Sequence, residues 1–197
     1  MRVITVGLFA LATGCAVDDV QPTDTKDSKG ALPRAPHIDV QLTDAPGDFE
    51  AVWVNIASVE IESADAGWQT LADEPQKFDL LTLQNDVTAA LGGTTLEAGT
   101  YGQLRLIVES ASVVVGGVES SLKIASGMET GIKIPLDQTL EANTTYSITL
   151  DYDAAKSVKT TGQGYLMSPV IHVKDFVATP MPSDEPTDEP NEETPIL

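Results

Sequence analysis

The carboxylates are the first residues that could carry chemistry. Asp44-Ala45-Pro46-Gly47-Asp48 is a turn-forming run with two acids, and Glu50 follows it. Hard cations bind through several oxygens, so such a turn is a calcium-ligand candidate. Asp151 and Asp153 are two apart, which in a strand points both to one face. If the two segments met, Asp44, Asp48, Asp151 and Asp153 could share an ion. The competing reading needs neither metal nor any other cofactor. In it Asp44 makes an Asx-turn, Asp48 is solvated, and the other two pair with Lys156 or Lys133.

Nucleophilic catalysis needs a base within hydrogen-bond reach of the nucleophile. The two histidines, His37 and His172, fall near the ends of the apolar region in strand-like contexts, with no Gly-x-Ser-x-Gly run beside them. Ser157 next to Lys156 would be a hydrolase pair only if the lysine were desolvated and neutral. Among so many acids it is expected to stay charged and paired. Two histidines and one cysteine also make a poor zinc set. No catalytic residue is assigned, and the chain is expected not to be an enzyme. Arg105 and Lys133 interrupt apolar alternation and mark either a ligand-binding face or paired surface charges. Asp44, Arg105, Lys133, Asp151, Asp153 and Lys156 therefore form the candidate polar cluster. Trp53 and Trp68 offer flat faces suited to stacking on a sugar, or simply to packing.

Charge limits the partners. The 197 residues carry a formal charge of -19. Residues 1–36 balance four acids against four bases, and the stretch from Thr179 has six acids and no base. Residues 37–178 then hold 20 acids and 7 bases. A field of that sign repels phosphate backbones, so nucleic acid is not expected as a partner, whereas a protein or glycan ligand is.

Cys15 is the sole cysteine, so no intramolecular disulfide can use it. Ahead of it lie Arg2, an apolar run Val3–Ala12, and the small residues Ala12-Thr13-Gly14. The run is about half of what a spanning helix needs and reads as a signal-peptide core. With the thiol behind small residues, the segment resembles a bacterial lipobox, although Ala12 stands where leucine is usual. The expectation is a signal peptide over 1–14 and a diacylglycerol- and palmitate-type anchor on Cys15. The protein would then be secreted and membrane-attached in the cell envelope. Ala16 follows directly, rather than the aspartate associated with inner-membrane retention, which favours the outer membrane. Residues 15–36 read as a flexible polar spacer, and 179–197 as a disordered acidic, proline-rich tail.

Between these flanks, over 37–178, hydrophobic period two dominates. Ile38, Val40 and Leu42 alternate with polar residues, as do Val52, Val54 and Ile56. Val59 and Ile61 continue on the opposite parity, which predicts a bulge near Ala57-Ser58. Leu104, Leu106 and Val108 form another set, with Ile107 suggesting a strand buried on both faces. Val113–Val115, Ile132/Ile134/Leu136, Tyr146/Ile148/Leu150/Tyr152 and Leu166–Val173 read as further strands, and Gly116-Gly117 as a hairpin turn. Leu80–Leu91 is the chief helical candidate. The fold class is mainly β, an antiparallel β-sandwich of about eight to ten strands with one short helix.

Several segments are also familiar in wording and order. They are Leu42-Thr43-Asp44-Ala45-Pro46, Val52–Val59, Phe78-Asp79-Leu80-Leu81-Thr82-Leu83, Leu96–Leu106, Ser126-Gly127 ahead of Gly131-Ile132-Lys133, Leu150–Val158 and Ser168-Pro169-Val170-Ile171. Over about Ile38–Lys174 the chain resembles the secreted bacterial lipoprotein family called domain of unknown function 4382. Met167-Ser168 departs from that pattern, where a lysine is expected. The resemblance implies a β-sandwich, loosely transthyretin-like, on an envelope lipoprotein, and it implies no reaction. The functional expectation is a non-catalytic binding or scaffolding module. A calcium-stabilised or carbohydrate-binding adhesion domain is the alternative, with a hydrolase behind both.

Overall fold

A computed structural model describes residues 32–45, 47–124 and 130–182. The expected signal peptide, Cys15, most of the spacer, and the tail beyond 182 lie outside the described residues. In chain order the strands are β1 (His37–Thr43), β2 (Ala51–Ser63), β3 (Gly67–Ala72), β4 (Gln76–Asp79), β5 (Ala89–Thr95), β6 (Gly99–Val115), β7 (Val118–Ser121), β8 (Lys123–Ile124), β9 (Ile132–Leu140), β10 (Thr144–Tyr152), β11 (Val158–Thr161), β12 (Gly164–Met167) and β13 (Ile171–Pro180). Among the described residues the one α-helix, α1, is a single turn at Ala154–Ser157.

Period two decides which side chains go inside. In β2 the buried residues are Val52, Val54, Ile56, then Val59, Ile61 and Ser63. The parity switch falls where the pairing with β6 shifts register between Ile56 and Ser58, so the bulge keeps both halves aimed at one core. The larger sheet runs β3-β2-β6-β7, with β4 paired to the first half of β2 and β9 to the first half of β6. The smaller runs β13-β10-β1-β5, and a third, three-stranded sheet is β11-β12-β8. Ile38, Val40, Leu42, Ile148 and Leu150 of the smaller sheet join Val52, Val54, Leu104 and Leu106 of the larger in one core. Each such side chain contributes about 1.5–3 kcal/mol by leaving water. The architecture is thus mainly β, a sandwich with one short helix. Most pairs are antiparallel, but β1 lies parallel to β10 and β12 parallel to β8.

Three local expectations change. Leu80–Leu91 is not a helix: it closes one 3-10 turn at Leu80–Leu83 and then enters β5. Asn85 and Asp86 adopt positive φ of 58° and 64°, which ends helical geometry at once. Ile107 does not make β6 buried on both faces, since it is half-buried on the outward side. The single strand expected at Leu166–Val173 is two, β12 and β13, separated at Ser168-Pro169-Val170. The core domain also extends past its expected ends. Asn143 exchanges bonds with Arg34, through Asn143 N–H to the Arg34 carbonyl (2.8 Å) and Arg34 N–H to Asn143 Oδ1 (2.8 Å). Its carbonyl accepts from Met181 N–H at 2.7 Å.

Candidate functional site

The candidate polar cluster divides between the two main sheets. Asp44, Asp151, Asp153 and Lys156 gather where β1 and β10 end, and Arg105 and Lys133 lie on the outward face of the larger sheet.

The first group is a structural corner. Thr43 places its hydroxyl 2.9 Å from the carbonyls of both Leu83 and Val87, and Asp44 N–H donates to Leu83. Asp44 is buried, and its Oδ1 accepts from Ala154 N–H at 2.8 Å, tying the end of β1 to the start of α1. Asp153 caps that helix turn, accepting from Lys156 N–H at 2.9 Å, while Lys156 Nζ lies 2.6 Å from its Oδ2. Burial pushes the Asp153 carboxyl up, but the bonds from the Lys156 ammonium and backbone hold it below the usual range. Asp153 N–H donates to the Val170 carbonyl at 3.0 Å. Val170 N–H donates to Ser157 Oγ at 2.9 Å, and Ser168 N–H to the Ser157 carbonyl at 2.8 Å. Four of the familiar segments therefore meet here, and their polar residues serve to lock β1, β10, α1 and the chain leading into β13.

This geometry answers the sequence readings residue by residue. Ser157 is fully buried with its hydroxyl engaged by Val170, and Lys156 is held above its ordinary pKa first by its hydrogen bond to Asp153. The two do not form a nucleophile and neutral base. Asp151 meets His172 rather than Lys156, at 3.9 Å, and its Oδ1 is buried without a donor. Asp48 lies elsewhere, beside Phe49 and Tyr165. Among the described residues, no three histidine, cysteine, aspartate or glutamate side chains gather to hold a metal ion. Of the candidate calcium oxygens, Asp44 Oδ1 already accepts from Ala154 N–H and both Asp153 oxygens are engaged by Lys156, while Asp44 Oδ2 is buried without a partner.

The second group is an exposed face. Register aligns Glu60 with Arg105 and Arg105 with Lys133 across β2, β6 and β9. Arg105 Nε donates to Glu60 Oε2 at 2.7 Å, and its Cζ stands 4.1 Å above the Trp68 ring, with Lys133 Nζ at 5.8 Å. Gly131 permits this stack. It has φ +72°, and a Cβ there would collide with the Arg105 stem and Ile107. Further along the face, Lys77 Nζ stands 4.6 Å above Trp53. Beside Trp53 a cleft of about 220 Å³ is lined by Asn55, Ser110, Ser112, Glu119 and Ser121. Ser112 Oγ donates to Glu119 Oε1 at 2.5 Å, and Asn55 Nδ2 to Glu109 Oε2 at 2.8 Å. The sequence marked both tryptophans and Arg105. Lys77 and the serines carried no local signal, because only the pairing of β4 with β2, of β2 with β6 and of β6 with β7 brings them together.

A two-sheet sandwich with an aromatic, cationic and hydroxyl-bearing outer face defines this protein as a β-sandwich module. The chain belongs to the family described as Domain of unknown function (DUF4382), matched over residues 37–169. Among solved structures it is similar to a candidate cell adhesion protein from Bacteroides eggerthii, at 14% identity and TM-score 0.37, covering 75% of this chain and 56% of that one. A second candidate cell adhesion protein, from Bacteroides ovatus, is similar at 8% identity and TM-score 0.31, covering 77% of this chain and 47% of that one. The chain spans about half the length of these two proteins. No curated protein matches it.

Proposed function

We propose that the protein is a non-catalytic envelope lipoprotein, anchored through Cys15, whose larger sheet presents a binding face for a glycan. The observation that carries the reading is half-buried Trp53 on the outward face, walling a cleft whose polar lining is amide, hydroxyl and carboxylate groups together with Lys77. A ring stacks on the C–H face of a sugar, and such polar neighbours match its hydroxyls in donor and acceptor character. The lysine over Trp53 is exposed and flexible, so a sugar can displace it at little cost, or pair with it if the sugar is acidic. Outer-membrane placement follows from Ala16 after the cysteine.

The test is a glycan-array screen followed by calorimetry on the full chain. Trp53→Ala is expected to weaken binding of a retained glycan by about tenfold or more, the loss typical of a stacking contact. Ser157→Ala is expected to leave binding unchanged. Absence of any retained glycan, or equal affinity of the Trp53 variant, would overturn the glycan reading.

A further inference from the structure

A pocket of about 230 Å³ opens at one end of the sandwich, lined by Asp48, Phe49, Glu50, Val114, Val115, Thr160 and Tyr165. We propose that it takes the arginine side chain of a partner protein. The site is independent of the tryptophan face.

The lining has the chemistry of a cation receptor. Phe49 and Tyr165 contribute aromatic surface and are partly buried against the core, so their positions are fixed by packing. Asp48 and Glu50 contribute two carboxylates, and no lysine, arginine or histidine lines the pocket to neutralise them. A guanidinium suits that combination, because its plane stacks on a ring while its edge donates to carboxylate oxygens.

The walls are held rigidly enough to recognise a shape. Val115-Gly116-Gly117-Val118 is a two-residue hairpin whose glycines have φ of 59° and 73°, the geometry that lets β6 turn tightly into β7. Glu50 ties this hairpin to the loop before β2. Its backbone N–H donates to the Val114 carbonyl at 3.3 Å, and its Oε2 accepts from Gly117 N–H at 3.0 Å. On the opposite wall, Thr160 pairs with Tyr165 across β11 and β12.

The rim identifies the occupant as part of a protein rather than a small free cation. Val115 is 41% exposed and Val118 64% exposed on the same hairpin. Exposed apolar side chains on the hairpin that walls one side of a charged, aromatic pocket match an anchor side chain flanked by apolar contacts.

The experiment titrates the isotope-labelled full chain with N-acetyl-arginine amide, N-acetyl-norleucine amide and N-acetyl-glutamate amide, following the backbone amide signals of Phe49, Gly117 and Tyr165. The arginine probe is expected to shift these signals to saturation, and the other two are not. Asp48→Asn and Glu50→Gln are each expected to weaken the arginine probe by about fivefold to tenfold. Glu50→Gln keeps an acceptor for Gly117 N–H, so an unchanged melting temperature separates lost charge from a disturbed hairpin. Trp53→Ala is expected to leave this titration unaffected, whatever becomes of the glycan reading. Equal binding of the norleucine probe, full affinity in both neutral variants, or shifts spread over the acidic surface without saturation would each overturn the proposal.

Discussion

Asp44 is a carboxylate in an environment unsuited to its charge. Burial is the main cause, and nearby Asp151 and Asp153 add to it, against relief from Ala154 N–H and the Gln84 amide, so its pKa rises from 3.8 to about 7. Its Oδ2 is buried with no bonding partner. Tyr152 beside it is pushed up as well, first by burial and then by the Asp44 charge. Between pH 3.8 and 7 the folded chain holds a proton on Asp44 that the unfolded chain has released. More protons bound in the folded state means that stability falls as pH rises through this window. Asp44→Asn keeps the acceptor for Ala154 and removes the charge. It is expected to stabilise the protein at pH 8 by about 1–3 kcal/mol, a range set below the full linkage value for partial screening, and to change little at pH 4. Urea denaturation at the two pH values measures this. A variant less stable than wild type at pH 8 would show that the carboxylate is needed in its charged form.

Strands carry most of what was legible beforehand, and the reason is that period two is a local property. Val52 to Ile61 reveal both the strand and its bulge without reference to β6, and Gly116-Gly117 reveals its own turn. Leu80–Leu91 misleads because its apolar spacing fits a helix, whereas Asn85 and Asp86 turn the chain out of one after a single 3-10 turn. The division of the polar cluster was not legible, since it depends on which strands pair. Trp68 and Arg105 meet only because β3 and β6 both flank β2. Gly131 shows the same dependence, for nothing near it in sequence reveals that Arg105 lies across it. Gly67 shares its φ of +72° but has nothing within 4 Å of where a Cβ would stand. Gly67→Ala should therefore cost about 1 kcal/mol of backbone strain. Gly131→Ala adds a collision with Arg105 and Ile107 and should cost about 2–4 kcal/mol, while shifting tryptophan fluorescence as Arg105 leaves Trp68. Equal losses at the two positions would mean that the stack is loose enough to move aside.

At the scale of the whole molecule, charge would oppose the proposed anchor. Residues 37–178 hold 20 acids and 7 bases, and the segment beyond adds six acids, so the folded part is repelled by anionic headgroups. Among the described residues no helix is long and apolar enough to cross a membrane. In the lipoprotein proposed above, attachment would come from acyl chains on Cys15, whose apolar free energy of about 0.8 kcal/mol for each buried methylene would have to exceed that repulsion. One chain gives only marginal, reversible binding, but the several chains of a bacterial lipoprotein give a stable anchor. If the chain is anchored as proposed, the same repulsion would oppose contact of the acidic domain with an anionic bilayer. Two outcomes follow for cells expressing the full chain. Wild type should remain in the membrane fraction through washes of high salt, because screening removes only the unfavourable electrostatic term. Cys15→Ser should move to the soluble fraction and lose the mass of the lipid, with its domain still folded by circular dichroism. A Cys15→Ser protein that stays with the membrane and leaves it in high salt would instead reveal a basic partner holding the acidic surface there.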